Sequence, residues 1–355
     1  MSATPIRVLV VDDSAVVRGL VARAVEGDAA LQLIGTAMHG EAALTQLRRT
    51  PADVVVLDVE MPVMDGLTAL RSIQAEFPRT RVIMASALTS EGADITCRAL
   101  ALGAAGCIAK PVSASVSASI DQLTRELLPL IHALGAASTR TATYSPVPPP
   151  PLSRRSMGGE QPVPTILVIG TSTGGPQALR AVLCGLPTDF PLPIFIVQHM
   201  PPLFTPMLAK HLAADTGRPC QEAVHMEAVR SGHTYVAPGD YHLEVERREG
   251  VLRTKLSQAT PEHYCRPSVN PLFRSAANCY GSAALGVMLT GMGEDGLEGS
   301  RNLVNQGGWL IAQDEATSVV WGMPGAVVRA GLANEVLPLD QIASRLLKSC
   351  MAEVV

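Results

Sequence analysis

Residues 165–176 read Thr-Ile-Leu-Val-Ile-Gly-Thr-Ser-Thr-Gly-Gly-Pro. A β-branched apolar run ends in a turn of small residues that holds one hydroxyl, Ser172, and a helix-like segment follows. In an open α/β sheet such a junction lies at the carboxyl end of a strand, the edge where ligands and chemistry collect. Two uses of the turn compete. Its amides could cradle a phosphate at a helix N-terminus, or it could present Ser172 as a nucleophile. No Gly-Lys-Ser/Thr follows to reach β- and γ-phosphates, and the G-x-G-x-x-G spacing is absent, which argues against the phosphate loop. A serine nucleophile needs a base within hydrogen-bond reach and an acid to orient that base.

Both partners have a place along the chain. His199 directly follows the strand-like segment 194–198, in Gln-His-Met-Pro-Pro, and so shares the carboxyl edge with Ser172. Of the eight histidines, His211, His225 and His242 have no comparable setting and read as structural or solvated. His233 and His263 lie near turns, with nothing to pair them with Ser172. Asp295 lies in Leu289-Thr290-Gly291-Met292-Gly293-Glu294-Asp295-Gly296, again after an apolar strand. Thr290, Gly291 and Gly293 permit tight backbone geometry, whose amides could face a developing oxyanion. A Gly-rich Asp-Gly segment taken alone is more often a plain turn. Ser, His and Asp at three carboxyl-edge positions make a catalytic triad the better reading.

Further strands are expected at 166–169, 234–237 and 285–289. Pro238-Gly239 reads as a turn closing a hairpin, with 241–245 returning. This second α/β domain spans residues 165–355. Before it, residues 1–134 alternate strand-like runs at 6–11, 31–35, 54–57, 82–85 and 107–109 with helical patterns such as 15–25, 41–48 and 67–75. Such βα repeats predict a doubly wound parallel sheet. The fold class is therefore α/β, with two doubly wound parallel-sheet domains. Residues 135–164 contain Thr-Arg-Thr-Ala-Thr, the run Pro148 to Pro151 and Met157-Gly158-Gly159. That composition cannot bury a core and predicts a flexible, Pro/Ser/Thr-rich linker.

In the first domain Asp12 and Asp13 follow the first strand, Asp58 ends the third, Ser86 ends the fourth, and Lys110-Pro111 follows the fifth. All these positions open onto one sheet edge. Three carboxylates there repel one another and invite a hard divalent cation, Mg²⁺. Lys110 supplies a compensating charge, and the Ser86 hydroxyl could bond a phosphoryl group on Asp58. A single Asp after a strand is usually a cap or turn residue; the signal lies in the set.

Composition bounds the rest. A chain of 355 residues with 47% hydrophobic and 17% charged residues is long enough for two cores. A net charge of −4, with no helix-turn-helix pattern, argues against nucleic acid as a partner. The seven cysteines form no C-x-x-C pair, which predicts free thiols in a reducing compartment. Asp12-Asp13 interrupts the N-terminal apolar run, and no run approaches the roughly 18 residues of a membrane span. A cytoplasmic protein without membrane insertion is expected.

With Leu57-Asp58-Val59-Glu60-Met61-Pro62-Val63-Met64-Asp65-Gly66, residues 6 to about 130 resemble the receiver domain of two-component signalling. The resemblance implies a flavodoxin-like fold, with Asp58 as the residue phosphorylated by a histidine kinase. It also implies Mg²⁺ held by Asp13, Asp58 and the Glu60 backbone carbonyl, with help from Asp12. Receivers usually carry Phe or Tyr three residues before the lysine; here that position is Cys107.

The segments around Ser172, His199 and Asp295, together with Gly232-His233-Thr234-Tyr235-Val236-Ala237-Pro238-Gly239 and Arg266-Pro267-Ser268-Val269, closely resemble the catalytic domain of the chemotaxis protein-glutamate methylesterase family. This implies a Rossmann-like esterase domain with Ser172 as nucleophile, His199 as general base and acid, and Asp295 as orienter. It implies oxyanion stabilisation from the loop at Met292, a site role for Thr173, and no cofactor for the ester chemistry. The implied substrates are glutamate γ-methyl esters of methyl-accepting chemoreceptors, with methanol released and receptor glutamines deamidated as a second activity. The family's Arg-Pro-Ser-Val-Asp ends here in Asn270. The order receiver, linker, hydrolase further suggests that one domain restrains the other until Asp58 is phosphorylated. The rival readings are an output domain that only binds, and a general esterase of small metabolites.

Overall fold

A computed structural model describes residues 4–87, 89–111, 115–140 and 163–350. The chain divides into two compact units, Met1–Pro146 and Val147–Val355. The first alternates β1 (Ile6–Val11), α1 (Ala15–Glu26), β2 (Leu31–Ala37), α2 (Gly40–Arg49), β3 (Val54–Asp58), α3 (Gly66–Glu76), β4 (Arg81–Ser86), α4 (Ser90–Ala101), β5 (Gly106–Ala109) and α5 (Val116–Arg140). Its parallel sheet runs β2-β1-β3-β4-β5. β3, Val-Val-Val-Leu-Asp, is buried along its whole length, as a central strand covered on both faces must be. Ser14 and Asp65 cap α1 and α3 by accepting from Val17 N and Thr68 N. Gly66 lets the chain leave β3 tightly, because a Cβ there would lie 2.1 Å from the Asp58 carbonyl oxygen. α5 continues to Arg140 and so takes up the first residues of the segment read as a linker. Residues 141–162 of that segment lie outside the described residues.

The second unit contains β6 (Ile166–Thr171), α6 (Gly175–Cys184), β7 (Ile194–Gln198), α7 (Thr205–Thr216), β8 (Cys220–Glu222), β9 (Thr234–Val236), β10 (His242–Arg248), β11 (Val251–Ser257), α8 (Val269–Tyr280), β12 (Ala284–Met288), α9 (Leu297–Asn305), β13 (Trp309–Gln313), α10 (Met323–Arg329), β14 (Glu335–Leu337) and α11 (Leu339–Cys350). Its seven-stranded parallel sheet runs β14-β13-β12-β6-β7-β9-β8. The strand order reverses at β6, with β7 on one side and β12 on the other. The loops after these three strands therefore meet at a topological switch point, where open α/β sheets place their ligands. Aliphatic side chains of β6, β7 and β12 fill the core, with Phe195 stacked on Tyr235 at 5.1 Å.

The expected hairpin at Pro238-Gly239 does not form. β9 lies between β7 and β8 and has no free edge for the returning strand. Gly239 instead packs against Pro202, and its amide donates to Thr205 Oγ1 at 3.0 Å. The chain then leaves the sheet, and β10 pairs antiparallel with β11 as a separate ribbon. That ribbon turns at Glu249 and Gly250, both with positive φ. Among the described residues no helix is long and apolar enough to cross a membrane. Among the described residues no disulfide joins the seven cysteines.

Candidate active site

Ser172 follows the last residue of β6, and its amide donates to the Thr290 carbonyl at 3.0 Å. The Thr171 hydroxyl donates to the same oxygen at 2.9 Å, and Thr290 Oγ1 donates back to the Thr173 carbonyl at 2.9 Å. The loop after β12 is thus sewn to the loop after β6. Gly174 takes φ +78 to turn the chain into α6, a conformation that glycine adopts without penalty. Gly291 allows the close approach of the two loops, since a Cβ there would lie 2.4 Å from Met323 Sδ and 2.9 Å from Ser172 Cβ. Gln198 joins the third loop: its Nε2 donates to the Ser172 carbonyl at 2.9 Å and to the His199 carbonyl at 3.2 Å. Ser172 itself is half-buried, and no hydrogen bond to its Oγ occurs among the described residues.

His199, 14% exposed, sets Nε2 at 2.7 Å from Asp295 Oδ2. Asp295 is buried and accepts three further hydrogen bonds: from Ser268 Oγ at 2.6 Å, Val269 N at 2.7 Å and Gly296 N at 2.8 Å. Both carboxylate oxygens are therefore doubly engaged, which fixes the orientation of the group. Burial alone would push the Asp295 carboxyl up, but the bonds from His199, Ser268 and Val269 outweigh it and hold the group below its ordinary range. For His199, burial opposes the imidazolium; Asp295 and the Cys265 sulfur, 3.6 Å from Nδ1, overcome it and raise the imidazole to about 9.

The remaining positions fall around this centre. Met292 is 38% exposed on the β12–α9 loop. Neither its amide nor that of Thr173 meets an acceptor among the described residues, while the Gly291 amide is taken by the Val320 carbonyl. Two free amides beside Ser172 are suited to a negatively charged oxygen. Asn270 is buried, and its Oδ1 accepts from Gly299 N at 2.7 Å. An amide oxygen serves that bond as a carboxylate would, without burying a charge. Ser268 and Gln198 are parts of the site that strand-end reasoning does not reveal; the Arg-Pro-Ser-Val motif is the one sequence signal that carries Ser268. His242 is buried as a structural residue: Nδ1 accepts from Ser268 N at 3.2 Å and Nε2 faces the Thr260 carbonyl at 3.2 Å.

In the first unit, Lys110 Nζ lies 2.9 Å from Asp12 Oδ2 and 2.7 Å from Asp58 Oδ1, both carboxylates being buried. Burial pushes the Asp58 carboxyl up, and the neighbouring Asp12 adds to the rise while Lys110 opposes it. Burial would lower Lys110, but its two carboxylate partners outweigh that and raise it. Asp12, Asp13 and Asp58 each bring an oxygen within 4.8 Å of the others. Asp58 Oδ2 is buried without a hydrogen-bond partner, so the donor set fits a hard divalent cation. The Glu60 amide faces Asp58 Oδ1 at 3.4 Å, and the fully buried Ser86 turns its hydroxyl to the Ala87 carbonyl at 3.2 Å. Cys107 lies on β5, where burial raises its thiol to about 12.

A receiver-type pocket in one unit and a serine-hydrolase arrangement in the other place the chain among response regulators with an enzymatic second domain. Residues 167–346 match the family model described as CheB methylesterase, and residues 8–118 match the response regulator receiver domain. The chain is 47% identical to a protein-glutamate methylesterase/protein-glutamine glutaminase of Azospirillum brasilense, over 95% of this chain and 91% of that one. A second such protein, from Caulobacter vibrioides, is 49% identical over 95% and 96%. The crystal structure of the Thermotoga maritima CheB methylesterase catalytic domain matches with a TM-score of 0.51 at 41% identity, covering 52% of this chain and 98% of that one. The chain belongs to the CheB family of protein-glutamate methylesterases/protein-glutamine glutaminases. Its receiver belongs to a class whose phosphorylation depends on Mg²⁺.

Proposed function

We propose that the second domain hydrolyses glutamate γ-methyl esters on methyl-accepting chemoreceptors through a Ser172 acyl-enzyme, under the control of phosphorylation at Asp58. The observation that carries this reading is the fixing of His199 Nε2 by the four-fold bonded Asp295. It leaves Nδ1 as the nitrogen to take the Ser172 proton. Ser172 Oγ then attacks the ester carbonyl, and the oxyanion draws on the free amides of Thr173 and Met292. The tetrahedral adduct collapses with transfer of the His199 proton to the departing methoxide, so methanol leaves and Ser172 is acylated. Water gives a proton to His199 and attacks the acyl group; the carboxylate departs and Ser172 regains its proton. A glutamine side chain passes through the same geometry with ammonia leaving, which supports deamidation as a second activity.

In the receiver, Asp58 Oδ2 is the free oxygen suited to accept a phosphoryl group from a histidine kinase. Asp13, Asp58 and the Glu60 carbonyl would hold Mg²⁺, with Asp12 in support. When bound, the ion supplies positive charge against the phosphoryl oxygens. Lys110, already between Asp12 and Asp58, can turn to the new phosphoryl charge, and Ser86 can donate a hydrogen bond to it. Control of the second domain requires the phosphoryl group to favour the active state by a few kcal/mol. Methanol release from methylated receptor membranes, with and without a small phosphodonor, tests the reading. The wild-type rate should rise at least roughly tenfold with the donor, and Asp58→Asn should stay at the basal rate. A donor response that survives Asp58→Asn would refute the phosphorylation site.

A further inference from the structure

The nitrogen of His199 that Ser172 needs already has a neighbour. Cys265 Sγ lies 3.6 Å from Nδ1, while Ser172 Oγ bonds to nothing among the described residues. Cys265 is held firmly there. Its amide donates to the Glu262 carbonyl at 2.9 Å. The next residue, Arg266, reaches Asp240 Oδ1 through Nε at 2.9 Å and Nη2 at 2.6 Å, and the carbonyls of Gln258 and Ala259 at 3.2 and 3.1 Å. Three and four residues beyond Cys265, Ser268 and Val269 bond the carboxylate at the other end of the imidazole. One short segment thus meets His199 at Nδ1 through sulfur and supports Asp295 at Nε2.

We propose that Cys265 is a positioning residue of the hydrolase, holding the His199 imidazole by Nδ1 in the resting enzyme and competing with Ser172 for that nitrogen. The inference rests on the reading of His199 as the general base. The titratable groups facing His199 are Asp295, from the β12–α9 loop, and Cys265, from the segment before α8. With sulfur as acceptor of the Nδ1 proton, both favour the imidazolium. An imidazolium cannot take the Ser172 proton, so Cys265 restrains the first step until substrate displaces it.

Titration of His199 in the full chain by NMR of ¹⁵N-labelled histidine, with the signal identified by its loss in His199→Gln, tests this. The wild-type midpoint should lie at about 9. Cys265→Ala should lower it by about one unit, and Ser172→Ala should leave it in place. Since the base is the deprotonated form and substrate displaces Cys265, the acid limb of kcat/KM against pH, which reports the free enzyme, should move down by the same amount. At neutral pH kcat/KM should then rise by up to about tenfold. Should Cys265→Ala fail to fold, Cys265→Val, closer in volume, reads the same shift. An unmoved midpoint on removal of the thiol, or a midpoint that moves in Ser172→Ala instead, overturns the proposal. Failure of the triad reading is separate: it would appear as ester hydrolysis surviving in Ser172→Ala, whatever the midpoint.

Discussion

Ser172→Ala is expected to abolish methanol release from methylated receptors, with kcat falling roughly 10⁴-fold or more and thermal stability almost unchanged. The two halves of this expectation have separate physical sources. The hydroxyl is the only atom removed, and it makes no hydrogen bond among the described residues, so its loss strands no buried partner. The turn that carries it is held by backbone groups: the Ser172 amide on the Thr290 carbonyl and the Ser172 carbonyl under Gln198 Nε2. A surface-type change of this kind costs within about 0.5 kcal/mol. The rate, by contrast, loses its acyl-enzyme route and keeps only what oxyanion stabilisation and binding provide. Hydrolysis within tenfold of the wild-type rate would show that another group attacks the ester.

Asp295→Asn should lower kcat by about 10⁴-fold and, unlike the serine change, should also lower the melting temperature. Four donors meet the two carboxylate oxygens: His199 Nε2 and Val269 N on Oδ2, Ser268 Oγ and Gly296 N on Oδ1. An asparagine has only one acceptor oxygen. Whichever way its amide is turned, an NH₂ group faces a backbone N–H in a buried site, Val269 on one side or Gly296 on the other. Such a mismatch costs about 1–3 kcal/mol. On the Oδ2 side the amide would also select the wrong tautomer of His199, placing the proton on Nδ1, where Ser172 must deliver its own. Kinetics and a thermal melt on the same variant check both effects. A near wild-type kcat would remove Asp295 from the mechanism, and an unchanged melting temperature would contradict the donor-donor account.

The positions at strand ends were legible because a parallel sheet brings every carboxyl end to one edge. Asp12, Asp13 and Asp58 come together on one sheet, and His199 meets Asp295 on the other, although 96 residues separate that pair. Strand-end reasoning needs no knowledge of the loops. It fails where the loop path decides. Pro238-Gly239 has the local chemistry of a tight turn, and nothing nearby reveals that β8 covers the free edge of β9, because Cys220-Gln221-Glu222 is too short and polar to read as a strand. Ser268 and Cys265 stayed hidden for a related reason. They belong to an irregular segment whose approach to His199 is set by Arg266 binding Asp240 and by the ribbon of β10 and β11, contacts that no local periodicity encodes. Gln198 is not legible as a site residue because a polar residue closing a strand ordinarily points to solvent, whereas here it is buried and spans two loops. Residues 135–140 continue α5 although their composition leads into Thr-rich, linker-like sequence, because a helix can run on past the last residue that packs on a core.

The central claim is that Ser172 carries the covalent chemistry, activated by His199. Mass spectrometric mapping after treatment with a fluorophosphonate, a reagent that phosphonylates activated serines, measures this most directly. A single adduct is expected on the peptide containing Ser172, lost in Ser172→Ala and slowed at least roughly 10²-fold in His199→Gln. An adduct on any other residue of the active enzyme, or labelling of Ser172 that is indifferent to His199, would contradict it.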